Sequence, residues 1–421
     1  MKIAVVGGGI AGLAVAWLLS RHHEVTLFER HTQPGFVAHS VAVDGVRVDV
    51  PLRVFYPGYY PTLMQLYRAL GVSTEPVSYA TTFTGSDGRA FFRWRNLRVG
   101  GLSWPYVLPQ DVAQPRARRI VHGALRFNRR AGTALARGEL AGRSLGDFIR
   151  SEHFSPDYVE GLLLPALATI ATCTTADALD YPAEVVARYV SAGLNRQSVR
   201  RAVHGADDAA ARLQQGIHRV VCNAGVQAVL HDAHGAQVHH RDGTVEHFDH
   251  AVLATQANQA LALWRTPPAD MAATLAGFRY RPLDVVMHRD PQLMPALRRD
   301  WSPVNARVCS TQDRPESTIW VNAVQPALRH ARPVFQTVHP HRQPREDLVI
   351  SRAHFERPLV DVASQQALQR LQHLQAMDVA DRRVWLCGSY ADAGVPLLES
   401  AVRSAYAVAA ALDGLRPDSS R

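Results

Sequence analysis

The stretch Lys2-Ile3-Ala4-Val5-Val6-Gly7-Gly8-Gly9-Ile10-Ala11-Gly12, with the alanine-rich run after it and Val25-Thr26-Leu27-Phe28-Glu29 beyond, decides the fold. It reads as an apolar strand, a Gly-x-Gly-x-x-Gly turn, a helix and a second strand ending on a carboxylate. That order is the dinucleotide-binding βαβ unit, and each part has a physical task. Gly7 allows the tight turn, Gly9 lets the backbone approach a pyrophosphate, and Gly12 lets the helix pack closely on the sheet. The helix N-terminus faces the phosphate charge. Glu29, at the tip of the second strand, is placed to accept hydrogen bonds from a ribose diol.

Outside this unit, composition mainly excludes. A chain of 421 residues with 47% hydrophobic content can bury a large core and divides into two domains or more. No stretch is apolar enough to predict a transmembrane helix. The first strand starts at once, so no signal peptide is expected, because cleavage would destroy the glycine turn. Cys173, Cys222, Cys309 and Cys387 are widely spaced, which fits a reduced cytoplasm better than a disulfide framework or a zinc site. The closest histidine groupings, His22-His23, His239-His240 and His339-Pro340-His341, lack the helical spacing and adjacent acid of a hydrolytic metal site. No metal is expected.

The net charge of +9 is arginine charge, since Lys2 is the only lysine. The arginines are scattered among Ala, Leu and Asp as solvated faces, and no nucleic-acid-binding signature accompanies them. The dense exception is 116–130, where Arg118, Arg119, Arg126 and Arg129 surround Ile120, Val121, Leu125 and Phe127. It is an amphipathic basic helix. The first reading is an exposed surface helix and the second a peripheral membrane contact.

Along the chain, Leu63, Leu66, Tyr67 and Leu70 fall at helical spacing, and Gly71 stops that helix. A further helical stretch begins over Ser144 to Ile149 and continues from Pro156 to Ile170. From about Asn223 the period becomes two. Val226 to Leu230 is a strand, and Gln237 to His240 pairs with Thr244 to Phe248 across the hairpin dipeptide Asp242-Gly243. Ala251 to Ala254 is a buried strand leading into a helix from about Asn258. Strands at Leu283–His288, Thr318–Asn322, Pro333–Val338 and Leu348–Arg352 predict an antiparallel sheet distinct from the nucleotide sheet. Arg383 to Gly388 is a closing buried strand, and a helix runs from about Val395 to Leu412.

These pieces together resemble the FAD-dependent amine oxidase and phytoene desaturase superfamily, which shares its architecture with protoporphyrinogen oxidases and UDP-galactopyranose mutases. Within it the chain looks closest to bacterial predicted NAD/FAD-binding oxidoreductases. The resemblance rests on the glycine motif with Glu29, on the hairpin ending Val252-Leu253-Ala254-Thr255, and on the strand–glycine–loop–helix from Val384 to Ala410. It is specific at both ends, moderate over 200–262 and loose elsewhere. It implies an α/β fold: a discontinuous FAD-binding Rossmann-like domain of the glutathione-reductase type, over 1–55, 205–265 and 376–414. An α+β substrate domain with an antiparallel sheet is inserted over 56–204 and 266–375, and 415–421 is a flexible tail. FAD is the implied cofactor. Gly7, Gly9 and Gly12 would hold its pyrophosphate, with Ile10, Ala11 and Arg30 beside them. Glu29 would take the adenosine ribose, the Val226 backbone the adenine, and Gly388 and Ser389 the ribityl and pyrophosphate side. Glu399 reads equally as a cofactor contact and as a favourable first-turn carboxylate.

The chain departs from the family pattern in ways that bear on chemistry. The usual Arg-x-x-Gly-Gly is reduced to Arg30 followed by Gly35, and the later Asp-x-Gly has become Asp49-Val50-Pro51. Amine oxidases of this group often carry a lysine beside the flavin; Lys2 sits far from any such position. The segment Pro51 to Tyr60 nominates Arg53 and Tyr56 as catalytic candidates, with a packed aromatic loop as the alternative. Hydride removal by FAD from an organic, lipid-like substrate leads the readings. A redox-neutral isomerase or mutase comes second, a non-catalytic dinucleotide-binding protein third, and a nicotinamide-only dehydrogenase is disfavoured by the lack of a second glycine motif.

Overall fold

Ile3, Ala4, Val5 and Val6 show no polar alternation, the pattern of a strand covered on both faces. In the computed structural model, which describes residues 1–35, 39–99, 102–193 and 198–415, strand Lys2–Val6 is the centre of a five-stranded parallel sheet. The order across the sheet is Arg219–Val221, Glu24–Phe28, Lys2–Val6, His250–Leu253 and Val384–Leu386. The strands come from three distant parts of the chain. One face is covered by helices Ile10–Leu19 and Leu398–Asp413, whose facing alanines let the axes approach closely. The other is covered by the antiparallel strands Val226–His231, Ala236–His240 and Val245–Phe248, in the expected register with Gly243 at φ +87° in the turn.

Helices Ala269–Ala276 and Val362–Ala376 also pack on this second face. Met271, Leu275, Leu368 and Leu371 share a buried cluster with Ala4, Leu253, Val384 and Leu386. Physically they belong to the nucleotide core, although the expected limits placed 266–375 in the substrate unit. Residues 416–421, most of the expected tail, lie outside the described residues.

The second sheet has eight strands, four more than the sequence pattern predicts. Its order is Val349–Pro358, Tyr280–His288, Phe335–Val338, Glu316–Trp320, Val304–Arg307, Thr81–Thr84, Ala90–Val99 and Leu102–Tyr106. All neighbours are antiparallel except Val304–Arg307 beside Thr81–Thr84. The strand expected over Thr318–Asn322 ends at Trp320, because Asn322 turns inward to bond the carbonyls of Leu328, Ala331 and Arg332. The closing helix begins at Leu398 rather than Val395, whose N–H is held instead by the Tyr59 hydroxyl at 2.7 Å.

A helical layer covers this sheet: Pro115–Ala136, Leu145–Ser151, a π-helical turn Val159–Leu163 that runs into Leu164–Ala171, and Ala183–Ser191. Ser144 and Asp147 cap the second of these reciprocally. Gly123 lets helix Pro115–Ala136 press against Tyr158, whose Cβ lies 2.4 Å from where a Gly123 Cβ would stand. One continuous apolar cluster runs from Ile3 and Leu13 through Phe55 and Tyr56 to Phe127 and Leu167, so both units share a core.

His288 lies fully buried in the second sheet. Its Nδ1 accepts the Asp290 N–H at 3.2 Å, and Nε2 sits 2.8 Å from Thr337 Oγ1. Burial pushes its pKa down to about 4, from the ordinary imidazole value of 6.5. The unfolded chain therefore binds the extra proton between those values, and stability falls as pH drops through that window, by about 3 kcal/mol at full titration. Melting temperature measured against pH should decline there, and His288→Asn should flatten that part of the curve. Parallel profiles for the two proteins would contradict this assignment.

Candidate cofactor and substrate cavity

The glycine turn is shaped by close backbone approaches. Gly7 adopts φ +107°, and a Cβ on it would meet the Ala254 carbonyl at 2.8 Å. A Cβ on Gly12 would stand 1.8 Å from the Gly7 oxygen, so only glycine lets the helix start there. Gly35, the surviving glycine of the expected pair, backs the turn, with its Cβ position 2.1 Å from the Gly8 oxygen. Gly9 differs from these. Nothing lies within 4 Å of its Cβ position, and its residue lines a large cavity. The open side of Gly9 therefore faces the cavity.

Glu29 is buried and rigidly placed. One carboxylate oxygen accepts the Gly8 N–H at 2.7 Å and the other the His31 N–H at 2.9 Å, leaving a free lone pair on each for a diol. Glu29, Arg30, Val226, Gly388 and Ser389 all line the same cavity as Gly7, Gly9, Ile10 and Ala11. Gly12 packs behind the turn. Gly388 is fixed by Ser404, whose hydroxyl accepts the Gly388 N–H at 3.0 Å and lies 2.8 Å from the Ala401 carbonyl. Leu397, Leu398 and Ala401 bring the N-terminus of the closing helix to the cavity wall, where its dipole favours negative charge.

Glu399 does not reach the cavity. It is 3% exposed, and its two oxygens accept the N–H groups of Thr62 and Leu63 at 3.0 and 2.9 Å. It caps helix Pro61–Ala69, where Tyr60, the residue at the N-cap position, makes no side-chain capping bond. The cofactor contact is thus withdrawn in favour of a structural one. Glu399→Gln should lower stability by about 1–2 kcal/mol, the cost of a lost cap, while leaving cofactor retention unchanged. Thermal melting and the cofactor-to-protein ratio check both halves.

The segment Pro51 to Tyr56 forms the middle of the wall. Gln336 clamps it, accepting the Leu52 N–H at 2.8 Å and donating to the Asp49 carbonyl at 3.1 Å. Arg53 faces the cavity within electrostatic reach of Asp49 and Arg357, and burial pulls its pKa down. Tyr56 also lines the cavity, but its hydroxyl donates to the Tyr189 carbonyl at 2.9 Å and burial drives its pKa upward. It stays protonated and serves as wall, not as a base. Tyr56, Tyr59, Tyr60 and Tyr189 stack at centroid distances from 4.6 to 6.1 Å, so the aromatic loop is a packed cluster. Burial pushes Tyr59 up to about 12.

Arg357 had no signal in the sequence beyond an Arg-Pro strand end. It projects from strand Val349–Pro358 onto the cavity wall, donates Nε to Thr172 Oγ1 at 3.0 Å, and makes no ion pair among the described residues. From Arg53 and Arg357 the cavity continues between the second sheet and the helical layer, past Phe83, Trp94, Ile319, Val121, Leu162 and Ala166. Its volume is about 1440 Å³. Single ligand sites usually occupy roughly 300–1,000 Å³, so this space accommodates a dinucleotide and a second molecule end to end.

Lys2 begins the central strand, at the end opposite the glycine turn, exposed, with its backbone N–H donated to the Asp249 carboxylate at 2.6 Å. No lysine therefore reaches the cavity. Among the described residues no group of three His, Cys, Asp or Glu is placed to hold a metal ion, and no helix is long and apolar enough to cross a membrane.

Residues 5–70 match the family model of the NAD(P)-binding Rossmann-like domain. The sequence is similar to 4,4'-diapophytoene desaturases of Staphylococcus aureus. One from strain bovine RF122 / ET3-1 is 44% identical over 62 residues, 14% of this chain and 12% of that protein. Another from strain COL is 42% identical over 77 residues, 18% of this chain and 15% of that protein. The likeness thus spans less than a sixth of those desaturases. Over nearly the whole chain, the fold matches a CLA-producing fatty acid isomerase from P. acnes, with TM-score 0.70, 15% identity and 96% and 97% of the two chains covered. It also matches putrescine oxidase, at TM-score 0.68 and 14% identity, covering 98% and 99%. Cyclohexylamine oxidase from Brevibacterium oxydans gives TM-score 0.68 and 14% identity over 98% and 99%. The chain therefore shares its overall fold with these oxidases and the isomerase, and its Rossmann-like sheet is built from both ends and the middle of the sequence.

Proposed function

We propose that the protein is an FAD-dependent oxidoreductase of the cytoplasm that removes a hydride from a long, apolar organic substrate. The observation that carries this is the single cavity running from the Gly9 turn to an apolar channel, with Arg53 and Tyr56 at the junction. The residues present fit FAD: open space at Gly9 for a pyrophosphate, spare acceptor capacity on Glu29 for a ribose, and a helix N-terminus for the anionic end of a reduced ring system. Bound there, FAD supplies a two-electron acceptor, and oxygen or another carrier takes the electrons onward.

This chain's own residues position and seclude. Gly9, Ile10 and Ala11 present backbone N–H groups, Glu29 orients the ribose, and Gln336 holds Pro51–Tyr56 in place. The tyrosine cluster keeps water from the junction. Arg357, cationic and without a carboxylate partner among the described residues, suits a substrate with an anionic or strongly polar group along its length. Desaturases and a fatty acid isomerase among the similar proteins favour a lipid-like substrate.

A redox-neutral isomerase is the second reading, favoured by the absence of a lysine from the cavity and by the likeness to the fatty acid isomerase. Anaerobic mixing with long-chain unsaturated acids and polyenes separates the two. Lasting bleaching of the flavin band is the expected result, whereas product formation without bleaching or oxygen uptake indicates isomerisation. A purified protein that is colourless and takes up no FAD on reconstitution overturns both.

A further inference from the structure

The far end of the cavity opens on an unusual surface. Among the described residues nine large apolar side chains are exposed, and six of them fall within 97–125. They are Leu97 (55% exposed), Leu102 (49%), Trp104 (50%), Tyr106 (43%), Val112 (36%) and Leu125 (67%). Four of the six, Trp104, Tyr106, Val112 and Leu125, also line the cavity. The cavity mouth and the apolar patch are therefore the same place, formed by the paired strands Ala90–Val99 and Leu102–Tyr106 and one side of helix Pro115–Ala136.

Charge is concentrated here too. Residues 93–130 contain nine arginines and a single acid, Asp111, giving +8 out of the chain's +9. Asp111 is buried and held by Arg93 Nε at 3.0 Å, and Asp300 also pairs with Arg93, so neither Asp111 nor Arg93 adds to the surface charge. The arginines of the helix divide by side. Arg116 and Arg119 pair with Asp157, and Arg126 and Arg130 with Glu152, on the side turned toward neighbouring helices. Arg118 and Arg129 are exposed, make no ion pair among the described residues, and share a helical face with Leu125 at spacings of seven and four. They flank the apolar mouth.

We propose that this face docks on an anionic lipid bilayer, with the strand pair and Leu125 entering the headgroup boundary and Arg118 and Arg129 contacting lipid phosphates. An apolar rim flanked by Arg118 and Arg129 matches that boundary chemically, since tryptophan and tyrosine favour it and arginine is drawn to anionic headgroups. The docking surface is the strand pair together with one helix face, rather than the whole basic helix 116–130. Docked this way, the cavity opens directly into the acyl region, and a lipid-like substrate enters without crossing water. That route rests on the function proposed above; the docking itself does not.

Co-sedimentation of the full chain with vesicles tests the docking, read as the bound fraction whatever the flavin content. Binding is expected to phosphatidylcholine vesicles containing phosphatidylglycerol, weaker to phosphatidylcholine alone, and weakened by salt. Arg118→Gln with Arg129→Gln should weaken binding to the anionic vesicles about fivefold per arginine. Trp104→Ser with Leu125→Ser should weaken binding to both vesicle types. These residues are exposed, so melting temperature and FAD content should match the parent protein. A parent protein that stays in the supernatant with anionic vesicles at low salt overturns the proposal. So does binding that both double variants retain in full. A soluble dimer that ignores vesicles and dissociates on Trp104→Ser assigns the patch to a second copy instead, and equally overturns it.

Discussion

Gly9→Val is expected to purify folded and colourless. Gly9 has φ −63° and ψ 178°, extended backbone that valine tolerates, and its Cβ position has no neighbour within 4 Å. The new side chain therefore costs the fold nothing and occupies the cavity beside the helix N-terminus. A pyrophosphate there meets an overlap of about 1–3 kcal/mol and loses charge-assisted hydrogen bonds to backbone N–H groups at about 1.5–3 kcal/mol each. The two together predict FAD binding at least about 100-fold weaker. Circular dichroism and melting of the apo form should match the parent apo protein. A variant that stays yellow would show that the turn is not the phosphate site.

Gly12→Ala, three residues away and chemically milder, is expected to fail in the opposite manner. Its methyl group would stand 1.8 Å from the Gly7 oxygen and 3.1 Å from the Ala254 Cβ. Neither can retreat: the Gly7 N–H is bonded to Phe28 O at 2.8 Å and the Ala254 N–H to Val6 O at 2.9 Å, both inside the central sheet. Relief requires lifting helix Ile10–Leu19 from the sheet and from helix Leu398–Asp413. The cost should exceed the usual overpacking range of about 1–3 kcal/mol, seen as low soluble yield or a much lowered melting temperature even with FAD added. A parent-like melting temperature would refute the close approach. One variant separates ligand space from folding, and the other shows that the motif serves both.

The nucleotide unit was legible because its signals are local. The glycine turn, Glu29, Asp242-Gly243 and the closing strand–glycine–helix each announce themselves within a few residues, and all lie where expected. The second sheet was only half legible. Thr81-Thr82-Phe83-Thr84 is buried on both faces and so lacks the alternation that marks a strand. The strand Ala90–Val99 is rich in arginines whose partners, such as Asp300 for Arg93, arrive from more than two hundred residues away. Glu399 was ambiguous because its partners, the N–H groups of Thr62 and Leu63, belong to a helix remote in sequence. Arg357 and Gln336 gave no local sign at all; only the strand register places them on the cavity wall.

The bond between Ser404 and Gly388 has a consequence for biogenesis. The glycine turn leaves the ribosome long before the strand Val384–Leu386 and helix Leu398–Asp413 that complete its sheet and cover its helix. A nascent chain that has emerged only to residue 380 carries the turn without its companion, so the parallel sheet and the cavity wall at Gly388 stay incomplete until those elements have emerged. By the same reasoning, a premature stop or proteolytic cut ahead of Val384 should silence the protein as thoroughly as loss of the turn itself.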